Sequence, residues 1–163
     1  MQETPTAAPR SAAEQARFLA LLTDMFEQRI RFNEVLGLRV LTLAPPAPSI
    51  RFDMHPELVG HFLYGRLHGG VISAALDSTA GLALMVAIAD KYPGDGVEQV
   101  MQRFSRMGTI DLRVDFLRQG VGRHFVASAE VTRLGGRVAS AQMRLVNDEG
   151  LLIATGAAAY VVS

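Results

Sequence analysis

Residues 67–82 are LHGGVISAALDSTAGL, and the rest of the chain is organised around this stretch. Gly69 and Gly70 form a tight entry at which a backbone can approach a ligand. Nearly every residue from 71 to 89 is apolar or small, which predicts a helix that is buried on all sides. Asp77 is the only charged residue in that run, and a buried carboxylate needs a partner or a function.

Three explanations of Asp77 compete at this point. The first is a catalytic carboxylate in a cleft beside the helix. The second is an Asp that points outward or bonds to a neighbouring backbone amide. The third is a membrane span, because the apolar run has about the 20 residues that a bilayer requires. We disfavour the span, since Asp77 lies in its middle with hydroxyl residues beside it and no second span follows. The first two explanations stay open.

The residues after this helix predict a sheet. A short helix is expected first, at 97–106. Four segments with the pattern of strands follow, at 110–116, 125–134, 139–145 and 151–162. In the first of them, strict alternation puts Ile110 on the same face as Leu112 and Val114. A helix that is apolar all round and is followed by four strands predicts an α+β fold, with an antiparallel sheet wrapped around the helix.

The N-terminal part predicts a tail and a helical extension. Residues 1–10 are rich in Pro, Ala and Thr without periodicity, so we expect a disordered tail. Ser11 has the character of an N-cap with Glu14 three residues later, and apolar residues at three- and four-residue steps predict a helix to about Arg31. A turn into a strand, a second strand and a loop then lead to the central helix, at 36–41, 50–54 and 61–67.

Composition limits the possible functions. A chain of 163 residues has room for one domain, which we place at 11–163 with the helical extension at about 11–35. The net charge of zero argues against nucleic acid as a partner, and the absence of cysteine excludes disulfides and thiolate chemistry. His55, His61 and His68 lack the i, i+4 spacing of a zinc helix, so no metal site is expected. With no leader of the secretory type, we expect a cytoplasmic protein.

Two motifs together carry a family resemblance. His68-Gly69-Gly70, followed seven residues later by Asp77, resembles the signature of the hotdog-fold acyl-CoA thioesterases, in particular the PaaI-like and 4-hydroxybenzoyl-CoA thioesterase group. Residues 104–118, FSRMGTIDLRVDFLR, resemble the first strand after the central helix in that group. With the N-terminal extension, the chain is similar to the bacterial YigI-like branch, which is linked to medium- and long-chain acyl-CoAs.

This resemblance implies a hotdog fold and cofactor-free hydrolysis of an acyl-CoA thioester. It implies that the Gly69 amide polarises the carbonyl and that Asp77 is the base or the nucleophile. Thr109 lies where the family often has a Ser or Thr that helps to hold the attacking water. Where the family frequently has Asn or Gln, this chain has His61, which either replaces the amide or leaves the carbonyl to be held differently. His68 is expected to be structural rather than a base.

Geometry predicts that such a site needs two chains. Gly69 and Asp77 are eight residues apart, which is about 12 Å along a helix axis at 1.5 Å per residue. Catalytic groups lie within about 3–3.5 Å of the atoms that react, and an Asp side chain is too short to close that gap. Two antiparallel helices would bring Gly69 of one chain near Asp77 of the other. We therefore expect a homodimer, or a tetramer built from two such dimers, as the family resemblance also implies.

The other expected contacts concern the two ends of the substrate. Coenzyme A carries phosphates, which arginine binds well, and Arg137, after a Gly-Gly turn, is the arginine that we expect to bind them. Gly70, His61 and His68 are expected to contact the thioester end. The candidates for an apolar acyl pocket are Phe62, Tyr64, Met85 and Phe104. The N-terminal helix is expected to cover an edge or a groove, with a lid over an acyl tunnel as the alternative.

Two other functions stay open from the sequence. A hotdog hydratase or dehydratase acting on 3-hydroxyacyl thioesters would need His61 or His68 paired with Asp77. The strand motif resembles the thioesterase branch, which counts against this alternative. A non-catalytic acyl-CoA-binding protein is the other, and the presence of Asp77 counts against it.

Overall fold

The computed structural model describes residues 8–163. The helices are α1 (Ala12–Asp24), α2 (Arg31–Leu36), α3 (Gly69–Lys91) and α4 (Val97–Phe104). The strands are β1 (Arg39–Thr42), β2 (Ser49–Asp53), β3 (Val59–His61), β4 (Arg66–Leu67), β5 (Gly108–Phe116), β6 (His124–Leu134), β7 (Val138–Asn147) and β8 (Leu152–Val161). Six strands form one antiparallel sheet in the order β1-β2-β6-β7-β8-β5. The predicted α+β architecture is confirmed.

Helix α3 is the core of the molecule. Its small side chains, among them Ala75, Ala80 and Ala83, are buried and let β6 and β7 pack closely against it. The helix is long and apolar enough to cross a bilayer by composition, but the larger part of it is buried inside the protein. Its apolar character is therefore that of a core helix, and the sheet supplies the surface that covers it.

The N-terminal extension begins as predicted. The Ser11 hydroxyl accepts from the Glu14 amide, and the Glu14 carboxylate accepts from the Ser11 amide, which closes a capping box at the start of α1. The extension is not one helix, however. A π-helical turn (Met25–Arg29) and an extended Ile30 separate α1 from α2. The buried Asn33 amide donates to the Phe26 carbonyl at 2.9 Å, and so satisfies a group at the break.

Residues 1–7 of the predicted tail lie outside the described residues. Arg10, at the end of that tail, is anchored in the structure. Its guanidinium donates to the backbone carbonyls of Ala89, Tyr92 and Asp95 at 2.7, 3.0 and 2.9 Å. These carbonyls lie at and after the C-terminal end of α3, so the chain is fixed to the core before α1 begins.

Two local predictions are wrong. Residues 61–67 are not only a loop, because β3 and β4 form a two-stranded hairpin there. Ile110 does not share the buried face of β5 with Leu112, since a β-bulge lies between Thr109 and Asp111 and 60% of the Ile110 side chain is exposed. The extra residue in the bulge breaks the period-two alternation on which that prediction depends.

Candidate active site

Asp77 lies half-buried on α3, and two hydroxyl groups bind one of its carboxylate oxygens. The Thr109 hydroxyl donates to Oδ1 at 2.9 Å, and the Tyr160 hydroxyl lies 2.6 Å from the same atom. The Tyr160 oxygen is also 2.8 Å from the backbone carbonyl oxygen of Asp77. Among the described residues, Oδ2 has no hydrogen-bond partner, so one oxygen is fixed and the other is left for chemistry.

The sheet places both hydroxyls at this point. Thr109 on β5 and Tyr160 on β8 are directly opposite each other in the ladder, at the end of the sheet that passes over Asp77. The bulge at Ile110 lets both Thr109 and Leu112 face the helix, although they are three positions apart. Without the extra residue, side chains an odd number of positions apart would point to opposite faces. The bulge is therefore what aims Thr109 at Asp77.

Tyr160 is the site residue that sequence analysis missed. Its side chain is only 4% exposed, and burial, followed by the hydrogen bond to Asp77, raises the pKa of its hydroxyl far above the ordinary value. The hydroxyl therefore stays protonated and remains a donor throughout the physiological pH range. The available signal was a lone hydroxyl-bearing aromatic residue at the end of the apolar run that precedes Val161.

The two glycines at the start of α3 differ in the hydrogen bonding of their backbone amides. Nδ1 of His68 accepts from the Gly70 amide at 2.9 Å, so His68 is the N-cap of the helix. The Gly69 amide has no acceptor among residues 8–163. It therefore presents an unpaired N–H at the positive end of the helix dipole, which favours an oxyanion. Room is limited at Gly70, where a Cβ would lie 3.0 Å from the ring of His68.

His61 belongs to the β3–β4 hairpin, next to the start of α3. Its ring packs near two aromatic side chains, with centroid distances of 5.7 Å to Phe62 and 4.7 Å to Tyr64. Its Nδ1 is buried and has no hydrogen-bond partner among the described residues. An unpaired buried nitrogen is unusual, and since this one has almost no accessible surface, a ligand could reach it only if the hairpin moved. Phe62 and Tyr64 are themselves largely exposed, whereas Met85 and Phe104 lie near Asp77.

The structure does not bring every expected residue together within one chain. Gly69 is the first residue of α3 and Asp77 the ninth of the same unbroken helix, so their separation along the axis is about 12 Å. Arg137 is exposed in the turn between β6 and β7, where its carbonyl accepts from the Val162 amide. That turn is at the end of the sheet at which β5 begins.

Within the described residues, no cluster of three His, Cys, Asp or Glu side chains has the arrangement of a metal site.

A cavity of about 180 Å³ adjoins Asp77 on the side of the N-terminal extension. Larger hollows of about 550 and 630 Å³ lie on the outer face of the sheet and beside the β5–β6 connection. Neither of these two touches α3, and charged or polar side chains line much of both. The cavity beside Asp77 is therefore the one in which the catalytic candidates and an apolar surface meet.

Comparison with known proteins gives a consistent result. The family model of the thioesterase superfamily matches residues 64–154. The medium/long-chain acyl-CoA thioesterase YigI of Escherichia coli (strain K12) is 41% identical over 150 residues, which are 92% of this chain and 96% of the relative.

Solved structures agree with that match. A protein from Shewanella oneidensis described as related to the thioesterase superfamily superposes with a TM-score of 0.88 at 35% identity, covering 94% of this chain and all of the other. A variant of the phenylacetic acid degradation protein PaaI from Thermus thermophilus superposes with a TM-score of 0.63 at 26% identity, covering 82% and 99%.

Proposed function

Since the chain belongs to the thioesterase superfamily and has the hotdog fold that its sequence resemblance implied, we propose that it hydrolyses acyl-CoA thioesters to a free acid and coenzyme A. The match to YigI favours medium- and long-chain acyl groups, with aromatic acyl groups as the other class to test. The relatives support acyl-CoA as the substrate. The cytoplasmic location stays a prediction.

The main support for the proposal is the way in which the carboxylate of Asp77 is hydrogen-bonded. Hydroxyls of Thr109 and Tyr160 hold Oδ1, while Oδ2 accepts no hydrogen bond from the part of the chain that the structure describes. A carboxylate fixed through one oxygen presents the other in a defined direction, which is what an attacking group requires. Oδ2 either attacks the thioester carbon directly or takes a proton from a water that attacks it. In both routes the carbon–sulfur bond breaks, and the thiolate of coenzyme A leaves. In the water route the thiolate takes up the proton that Asp77 removed from water. In the direct route an acyl–Asp77 anhydride remains, and a water molecule hydrolyses it to the free acid and the Asp77 carboxylate, releasing the proton that balances the one taken up by the thiolate.

The carbonyl oxygen gains negative charge as the carbon is attacked. The unpaired Gly69 amide at the start of α3 suits this charge, because a backbone N–H at a helix N-terminus is a fixed donor that needs no reorganisation. We assign the oxyanion contact to Gly69 rather than to Gly70, whose N–H already bonds to His68. His61, in the hairpin next to the start of α3, is the candidate that replaces the family's amide side chain.

We propose that each site combines Gly69 of one subunit with Asp77 of another. The 12 Å separation within one helix supports this arrangement. So does strand β5, which has nine residues and lies at the edge of the sheet, because a long unpaired edge is a template for pairing with another chain. Pairing two copies through β5 would place their α3 helices side by side. The dimer is therefore the smallest active unit, alone or within a tetramer.

The remaining proposed contacts concern the attacking water and the phosphates of coenzyme A. Thr109, which already bonds to the Asp77 carboxylate, would also bind the attacking water. Arg137 is proposed to bind the phosphates of coenzyme A. The hydratase alternative needs an imidazole paired with Asp77, but within the described residues no histidine bonds to this carboxylate, and Nδ1 of His68 is already used as a cap. The thioesterase is therefore the better supported of the two.

The test is release of free thiol from butyryl-, octanoyl-, palmitoyl- and phenylacetyl-CoA by the wild type and by Asp77→Asn. We expect the variant to lose about 10²–10⁴-fold in kcat, the contribution of a general base. It should keep its fold, because an amide oxygen can still accept from Thr109 and Tyr160. Asp90→Asn is the matched control, since Asp90 is an exposed carboxylate near the end of the same helix.

Other outcomes would select a different function. If the wild type released no thiol from any of the four substrates, the thioesterase proposal would be refuted. Hydration of crotonyl-CoA would then identify a hydratase, and acyl-CoA binding without either reaction would identify a binding protein.

A further inference from the structure

The cavity beside Asp77 has both polar and apolar side chains in its wall. Asp77, Thr109 and Tyr160 form one polar group, and Asn33 and Ser78 are the other polar side chains that line it. The apolar lining comes from three parts of the chain, namely the N-terminal extension, α3, and the end of α4 with the segment after it. Its side chains are Phe26, Ile30, Leu82, Met85, Phe104 and Met107. A substrate with a polar reacting group and an apolar tail also combines the two.

The cavity follows one face of α3. Asp77, Gly81 and Met85 are spaced by four residues, so they lie one above the other along the helix. The distance from the first to the last is about 12 Å along the axis. A chain attached to a carbonyl at Asp77 would therefore pass Gly81 before it reached Met85.

Within one chain, no contact among the described residues requires a glycine at position 81. Glycine in the middle of a helix is destabilising, so it normally marks a close approach or an unusual backbone angle. Here the backbone is ordinary helix with no positive φ, and no heavy atom of residues 8–163 beyond the helix itself lies within 4 Å of the position a Cβ would take. The residue therefore leaves open space in the wall of the cavity, which is what a ligand requires.

The opposite wall is fixed in place. The Ser78 hydroxyl donates to Oδ1 of Asn33 at 2.9 Å, and the Asn33 amide donates to the Phe26 carbonyl. These bonds tie the N-terminal extension to α3 one residue after Asp77. The extension is thus a built wall of the cavity at Phe26 and Ile30.

We propose that this cavity holds the acyl chain, and that Gly81 determines the length of chain that the enzyme accepts, with Met85 at the far end. The proposal rests on the proposed thioesterase function. The N-terminal extension then has a role in substrate selection, because it covers the acyl chain rather than only an edge of the sheet.

The test compares Gly81→Leu and Met85→Ala with the wild type, using kcat/KM for butyryl-, octanoyl-, dodecanoyl- and palmitoyl-CoA. In Gly81→Leu the new side chain fills the cavity, so kcat/KM for dodecanoyl- and palmitoyl-CoA should fall by at least about tenfold relative to butyryl-CoA. Met85→Ala lengthens the cavity and should shift the preference toward palmitoyl-CoA. Gly81→Leu should not lower Tm, because leucine is a better helix former than glycine.

Ala87→Leu is the matched control. Ala87 lies on the same helix but faces a different cavity of about 200 Å³, lined by Pro45, Pro46 and Pro48. We expect the chain-length profile of Ala87→Leu to be that of the wild type. A change of the same kind in the control would overturn the assignment to Gly81.

The outcomes distinguish a failure of the acyl-chain assignment from a failure of the proposed thioesterase function. A wild type without activity on any chain length refutes the thioesterase proposal. An active wild type whose profile is unchanged in Gly81→Leu refutes the acyl-chain assignment alone. Equal loss on all four substrates, or dissociation of the oligomer in light scattering, also refutes it, because Gly81 would then serve the catalytic geometry or a contact between subunits.

Discussion

A site shared between subunits can be tested by removing Gly69 and Asp77 on different chains. Gly69→Pro deletes the backbone N–H and little else, because proline is tolerated at the first position of a helix. The preceding residue, His68, already has the extended backbone that proline requires (φ −66°, ψ 138°). A Cβ at position 69 would lie 3.4 Å from the ring of Phe116, which is exposed and free to move. Asp77→Asn removes the charge with almost no change of shape.

The size of each effect follows from the assigned roles. Loss of one oxyanion donor typically lowers kcat by about 10²–10³-fold, and loss of the base by about 10²–10⁴-fold. Each homodimeric variant should therefore be nearly inactive. A heterodimer of one Gly69→Pro chain and one Asp77→Asn chain has one site in which both residues are native. It should recover about half of the wild-type kcat per dimer, since one of two sites is intact.

The assay is thiol release by heterodimers isolated with a different affinity tag on each chain. The reverse arrangement is the control, with both substitutions on one chain and a wild-type partner. A site shared between chains makes this heterodimer inactive, whereas a site within one chain leaves it about half active. Gly69→Ala keeps the N–H and should retain most activity. Recovery in the reverse arrangement, and none in the first, would refute the two-chain site.

Three further predictions concern residues around the site. Because the pKa of Tyr160 is raised, the contribution of this residue to stability is complete below the ordinary tyrosine pKa and is lost as the pH rises above it. Between about pH 9 and pH 11, the free energy of unfolding in urea should therefore fall more for the wild type than for Tyr160→Phe, and parallel losses would contradict this. Thr109→Val should lower kcat by about tenfold to a hundredfold, because it removes a hydrogen bond to a charged group, whereas Thr109→Ser should stay within a few-fold of the wild type. Equal rates for the two variants would exclude a role of the hydroxyl. Arg137→Ala should raise KM for acyl-CoA but not for the same acyl group on pantetheine, which lacks the nucleotide, and an equal change for both substrates would exclude phosphate binding by Arg137.

Much of the fold was accessible from the sequence because its main elements have strong local patterns. The apolar run after Gly70 predicted α3, and the four segments after it predicted an antiparallel sheet. The pattern did not predict the strand order, in which β5 pairs with β8 and not with β6. The capping box at Ser11 was identified to the residue, because it depends on two side chains three positions apart. The break at Ile30 was not, since the contact that supports it involves Asn33 and a carbonyl seven residues away.

The candidate site was only partly accessible. Asp77 stood out as a charge in an apolar helix, and Thr109 came from the family resemblance. Tyr160 was missed because its partner is 83 positions away, and no spacing rule links a residue in the last strand to one in the central helix. In the sequence Gly81 is one small residue among many in the apolar helix, and only the structure shows the open space beside it.

The bulge at Ile110 explains how the sheet edge serves both the site and the expected partner. A regular β5 would turn Thr109 away from the helix, because Leu112 must face the core. Inserting one residue lets both face inward and leaves Ile110 exposed on the edge strand. An exposed isoleucine beside an unpaired edge favours association, and the proposed dimer would cover it by pairing through β5. The same extra residue therefore aims the hydroxyl that holds Asp77 and leaves an apolar side chain on the edge through which a second copy is proposed to bind. In that case, a change at position 110 that lengthens or removes the bulge would disturb catalysis and association together.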